Sequence, residues 1–151
     1  MLTLGTAVMA PDICAGVVAE NPLTDMAKFS RFRDDGKLWI VEFGDTSGDA
    51  AALAAAAEWS PLHNLQPGRD YPATLIMACG NDQRVSPIHG RKMTAALQAT
   101  GSRGPHLLLE KDGAGHGGAV TRDETAATRA EMLRFAAART GLVWPKARAG
   151  G

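Results

Sequence analysis

Hydrophobic positions along this chain fall in short blocks, each closed by turn-forming residues. Residues 2–9 are small and apolar with no strand-like alternation, which predicts a buried helix. After Pro11-Asp12, residues 15–20 read as a short buried strand closed by Asn21-Pro22. Residues 23–49 are irregular and mix Phe29, Phe32, Trp39 and Phe43 with charges and glycines, as an excursion over a surface would. The Ala-rich block 50–59 favours a helix, and 60–65 a loop. Residues 73–78 form a continuous apolar run, the pattern of a strand covered on both faces, and Gly80-Asn81-Asp82 ends it in turn chemistry. A helix is predicted over 87–99, stopped by Gly101, and a third strand over 106–110. The glycine-rich loop 113–118 follows. Thr121-x-x-Glu124 is a capping box that opens a last helix, with Ala126, Ala130, Leu133 and Ala137 along one face and Gly141 as its stop.

Strands alternating with helices imply a mostly parallel sheet with right-handed crossovers, an α/β fold flanked by helices. Three strands are few for such a sheet, and their aliphatic character asks for cover and neighbours on both sides. The pattern therefore predicts a partial domain over 1–145 whose N-terminal strands lie outside the sequence, with 146–151 as a disordered tail.

Composition narrows the function classes. The 151 residues are 45% hydrophobic and 21% charged, ordinary for a globular domain, and only 5% aromatic. A formal net charge of zero gives no electrostatic footprint for nucleic acid or an anionic membrane. No apolar run approaches the roughly 20 residues that span a bilayer. Cys14 and Cys79 stand apart with no Cys/His cluster, so they read as two buried thiols rather than a zinc or redox site, and no cofactor is expected. Cytoplasm and periplasm both remain open as compartments.

The chemistry-bearing residues follow from the strand pattern. Functional groups gather at the carboxyl ends of parallel strands. Asp82 follows the second strand and His116 the third. Acid before histidine, each after a late strand, is the order in which Ser, Asp and His occur in α/β-hydrolases. A buried carboxylate there fixes the imidazole tautomer and stabilises the imidazolium. The plain alternatives are a turn-forming Asp and an exposed His among glycines.

The wording around these residues is more specific than their spacing. Residues 80–89 read Gly-Asn-Asp-Gln-Arg-Val-Ser-Pro-Ile-His, and residues 113–118 read Gly-Ala-Gly-His-Gly-Gly. Upstream stand Trp-Ser-Pro-Leu-His-Asn at 59–64, Tyr-Pro-Ala-Thr-Leu at 71–75, Gly-Lys-Leu-Trp-Ile-Val-Glu-Phe-Gly-Asp at 36–45 and Asp25-Met26 with Lys28-Phe29. In this order and over nearly the whole chain they resemble the prolyl oligopeptidase family of serine peptidases, specifically the C-terminal portion of its α/β-hydrolase domain. The resemblance implies that Asp82 orients and stabilises His116, and that His116 acts as general base and then general acid. It implies that Trp39 stacks on a substrate proline ring, that Phe43 and Val85 help wall that pocket, and that Arg84 hydrogen-bonds a substrate carbonyl one residue upstream. Peptides containing proline are the implied substrates. His63, His89 and His106 are read as structural, as are Trp59, Trp144 and the methionines.

The chain also departs from the family. No Gly-x-Ser-x-Gly occurs, and Ser30, Ser47, Ser60, Ser86 and Ser102 all lack that setting. The family's nucleophile, oxyanion hole and β-propeller are thus expected outside this sequence. Phe43 stands where a Tyr is usual, and the stretch between Phe29 and Trp39 is about one residue longer. The leading expectation is a serine peptidase cleaving short peptides after proline, with its serine upstream of this chain. The alternatives are an inactive fragment or non-catalytic binding protein that self-associates through an exposed sheet edge, and a different α/β-hydrolase such as an esterase. The missing upstream portion is itself an expected partner.

Overall fold

Strand β2 (Ala73–Cys79) is buried at all seven positions, as its unbroken apolar run requires. It sits between β1 (Gly16–Glu20) and β3 (His106–Lys111) in a parallel sheet of order β1-β2-β3. Val18 lies opposite Leu75, and Ile76 opposite Leu108. The structure is a computed structural model and describes residues 1–32, 34–118 and 121–143. Trp144 and the expected tail 146–151 fall outside the described residues.

Helices cover both faces of the sheet. Helix α1 (Leu2–Met9) and helix α4 (Ile88–Ala99) meet one face, where Leu4, Ala7, Val8, Val17, Ala19, Tyr71, Ile76, Met93 and Leu97 form the main core. Gly90 lets α4 come close: a Cβ there would meet Ile76 Cγ2 at 3.1 Å and Ala78 Cβ at 3.4 Å. Helix α5 (Arg122–Thr140) lies on the opposite face, where Phe135 and Leu75 border the same groove. Its capping box is formed: Glu124 N–H donates to Thr121 Oγ1 at 3.2 Å, and Thr121 N–H to Glu124 Oε2 at 3.0 Å.

One sequence expectation is corrected in α5. Ala137 is buried, but Ala126 is exposed and Leu133 is 54% exposed. The partly buried residues are Thr125, Thr128, Met132 and Phe135, together with the expected Ala130. In an Ala-rich helix, alanines mark no face, because alanine loses little in either environment. A second difference concerns 60–65, where residues Pro61–Asn64 form a short 3₁₀ turn.

The irregular stretch 23–49 becomes an arm with its own small core. It contains 3₁₀ turns at Phe29–Arg31 and Asp34–Trp39 and the short helix α2 (Ile40–Phe43). Leu23, Met26 and Phe29 of the arm pack with Val85 and with Ala56 of helix α3 (Ala50–Trp59). Trp39, Ile40 and Phe43 rest on this cluster.

Candidate active site

Three strand ends converge on one loop. Because β2 and β3 are parallel neighbours, the turn after β2 and the loop after β3 lie side by side. Gly80 N–H donates to Lys111 O at 2.9 Å, and Asn81 N–H to Ala114 O at 3.0 Å. Gly113 and Gly118 adopt φ of +77° and +79°, so the loop turns tightly around His116 without steric cost. From the end of β1, Asn21 Nδ2 donates to His116 O at 3.1 Å.

The predicted acid and histidine meet. His116 Nδ1 lies 2.8 Å from Asp82 Oδ2. Asp82 is fully buried, and its other oxygen accepts the backbone N–H groups of Arg84 at 2.8 Å and Val85 at 2.9 Å. Three hydrogen bonds therefore hold the carboxylate in place of the water it has lost, which is what a buried charge requires. An ionised carboxylate only accepts, so the proton between the two side chains belongs on His116 Nδ1. That tautomer leaves Nε2 with its lone pair free to take a proton. The His116 side chain is 37% exposed, open to a reacting partner.

The aromatic group predicted for substrate binding assembles beside the acid turn. Trp39 Nε1–H donates to Arg84 O at 2.7 Å, and the Arg84 guanidinium lies over the Trp39 ring at 5.8 Å. Leu38, Trp39, Val41, Glu42 and Arg84 line an open cavity of about 290 Å³. Phe43 and Val85 are not among its lining residues. They form the apolar floor under Trp39, with Phe43 at 6.1 Å from the Trp39 ring and edge-on to Phe29 at 6.0 Å. Arg84 links the two regions, since its amide holds Asp82 and its carbonyl and guanidinium hold Trp39. His116 borders a separate, smaller cleft of about 80 Å³ with Glu20, Asn21, Cys79 and Lys111.

Cys79 is buried and its thiol is pushed up by burial, while Cys14 is only partly buried; both are free. Ser60 is committed elsewhere, with its hydroxyl 2.9 Å from Thr24 O and 2.8 Å from His63 Nδ1. Among the described residues, no three His, Cys, Asp or Glu side chains gather as a metal site would need. No described helix is long and apolar enough to cross a membrane. Asn21 is the site residue that sequence reasoning passed over. Its signal was available: it follows a parallel strand as Asp82 and His116 do, and it takes φ +40°, a conformation Asn tolerates better than most.

Comparison with known proteins places the chain in a family. The family model described as the prolyl oligopeptidase family matches residues 1–142. A dual function macrocyclase-peptidase of Amanita bisporigera is 36% identical over 95% of this chain. A prolyl endopeptidase of Elizabethkingia meningoseptica is 29% identical over 94%. A post-proline cleaving enzyme from Rickettsia typhi superposes with a TM-score of 0.85 at 29% identity, covering 93% of this chain and 20% of that one. The chain spans about a fifth of the length of the relatives it matches, 20% of both the Amanita and the Elizabethkingia proteins. The fold thus matches a C-terminal portion of these enzymes' catalytic domain, and the chain belongs to the prolyl oligopeptidase family of serine peptidases.

Proposed function

We propose that this chain supplies the acid–base half and the proline pocket of a serine peptidase that cleaves short peptides after proline. The observation that carries the reading is Asp82, fully buried, triply hydrogen-bonded and 2.8 Å from His116 Nδ1. The serine comes from outside these 151 residues, in a longer protein or a complementary chain.

In the proposed reaction, a serine hydroxyl attacks the carbonyl of the residue before the scissile bond. His116 Nε2 takes the hydroxyl proton, and the Asp82 carboxylate stabilises the imidazolium. His116 then gives that proton to the leaving amine as the C–N bond breaks, leaving an acyl-serine. Water attacks the ester with His116 again as base, releasing the acid and restoring the hydroxyl. The flat indole of Trp39 offers a face for a pyrrolidine ring, with Phe43 and Val85 beneath it. Arg84 has donor N–H groups at the same cavity for a substrate carbonyl. β1 is an edge strand of the described sheet, and the remainder of the protein would add a further parallel strand beside it.

A second reading has one observation in its favour, the absence of any Gly-x-Ser-x-Gly. On that reading the chain is an inactive fragment or a binding protein on the same scaffold. Mass spectrometry separates the two. The serine-bearing protein is incubated with a peptide holding a single internal proline. Cleavage on the carboxyl side of the proline is expected. An intact peptide, or cuts that ignore the proline, would sink the peptidase reading.

A further inference from the structure

Two points of the arm 23–49 close onto the stretch 84–89. Midway along the arm, Trp39 Nε1–H donates to Arg84 O at 2.7 Å. At its near end, the amides of Thr24 and Asp25 both donate to His89 Nδ1, at 3.2 and 3.1 Å. Thr24 Oγ1–H donates to His89 O at 2.8 Å, so His89 grips the arm through side chain and backbone together. Val85 stands between the two attachment points and packs on Met26 and Phe29, within the arm's own small core.

The chemistry of this grip is restrictive. A nitrogen that accepts two N–H groups carries no proton, so the His89 ring holds its proton on Nε2. His89 is 2% exposed, and burial lowers its pKa from the ordinary 6.5 to about 4. Asp25 and Lys92, ion-paired with each other, are the charged groups that bear on it, together with the N-terminal amine. The Phe32 ring stands edge-on at 5.1 Å. Ser60 supports the same turn by accepting Met26 N–H at 3.0 Å and donating to Thr24 O at 2.9 Å. None of these groups offers Thr24 N–H or Asp25 N–H a second acceptor. Without His89 Nδ1, two buried amides are orphaned.

We propose that His89 is a positioning residue for the proline pocket, its unprotonated Nδ1 clasping the Thr24 and Asp25 amides so that the arm seats Trp39 against Arg84. The proposal rests on the pocket reading above for its relevance to peptides. The clasp itself needs no substrate, and this separates the two in experiment.

NMR on the 151-residue chain tests it. In the unmodified protein, ¹⁵N shifts of the His89 ring report the tautomer. A proton on Nε2 and none on Nδ1 is expected at neutral pH, and a proton on Nδ1 would overturn the proposal without any variant. His89→Leu removes the acceptor. Amide exchange at Thr24 and Asp25 is then expected to accelerate about tenfold or more while Ile76 in β2 keeps its protection. The Trp39 Nε1–H resonance should move as its bond to Arg84 loosens. His89→Asn places an amide oxygen near the lost nitrogen and should restore both signals in part. Unchanged exchange at Thr24 and Asp25 in His89→Leu, or a Trp39 resonance that does not move when those amides open, would overturn the proposal. Binding of a proline-containing peptide, followed by the same Trp39 resonance, is a separate readout. Its failure in the unmodified serine-bearing protein would count against the pocket reading alone.

Discussion

At the scale of single residues, the functional claim is concentrated in Asp82 and the ring it holds. Asp82 Oδ1 is already occupied by two backbone amides, so only Oδ2 faces His116. Asp82→Asn keeps the size but puts either an NH₂ or a neutral carbonyl against Nδ1, which removes both the tautomer preference and the stabilisation of the imidazolium. In the serine-bearing protein, kcat is expected to fall by about 10⁴ with the fold unchanged. Steady-state kinetics with a fluorogenic prolyl substrate reads this, and a loss below about tenfold would argue against the assigned role. Trp39→Ala removes the face offered to proline but leaves Asp82 and His116 untouched. Preference for proline over alanine at the cleavage site should shrink by about 10- to 100-fold, measured as a ratio of kcat/KM values. Asp82 and His116 were legible in the sequence because a strand end and a turn place them. Asn21 was passed over although its place after a parallel strand marked it, and the His89 clasp was not legible, because no local pattern says which distant amide a side chain will accept.

Elements were legible where a periodicity or a cap was strong. The β2 run, the α4 block and the Thr121-x-x-Glu124 box all form as the sequence predicts. The inward face of α5 was misread, since alanines lie all around that helix and the stripe Thr125–Thr128–Met132–Phe135 carries only two large apolar side chains. The arm 23–49 was legible only as irregular. Its order comes from tertiary contacts: Phe29 against Phe43, Trp39 on Arg84 and the buried amides on His89. Two predictions belong here. Thr121→Ala removes the hydroxyl that accepts Glu124 N–H and should cost about 1 kcal/mol, read by urea unfolding with an unchanged slope. Gly90→Val adds a branched side chain where a Cβ alone already meets Ile76 Cγ2 at 3.1 Å and Ala78 Cβ at 3.4 Å. It should cost about 1–3 kcal/mol by the same assay, and no loss would contradict the close approach of α4 to β2.

At the scale of the whole molecule, two buried imidazoles make stability depend on pH. His89 is held neutral with a pKa of about 4 against an ordinary 6.5, and burial also lowers the pKa of His106, whose ring nitrogens have no hydrogen-bond partner among the described residues. Between those two values the unfolded chain binds a proton at His89 that the native chain does not. The native state therefore has its full stability above about pH 6.5 and loses it as pH falls toward 4, by about 3 kcal/mol from His89. Urea unfolding at about pH 7 and pH 4.5 should show this fall, and His89→Asn should flatten it. An equal slope in both proteins would exclude His89 as its source. The sheet places the site at the carboxyl ends of β1, β2 and β3. The most direct test of this arrangement is labelling of the serine-bearing protein with a fluorophosphonate probe, which reacts only with an activated serine. Strong labelling that disappears in His116→Ala is the predicted result. Equal labelling of both proteins, or none in the unmodified one, would contradict the assignment of His116 as the base.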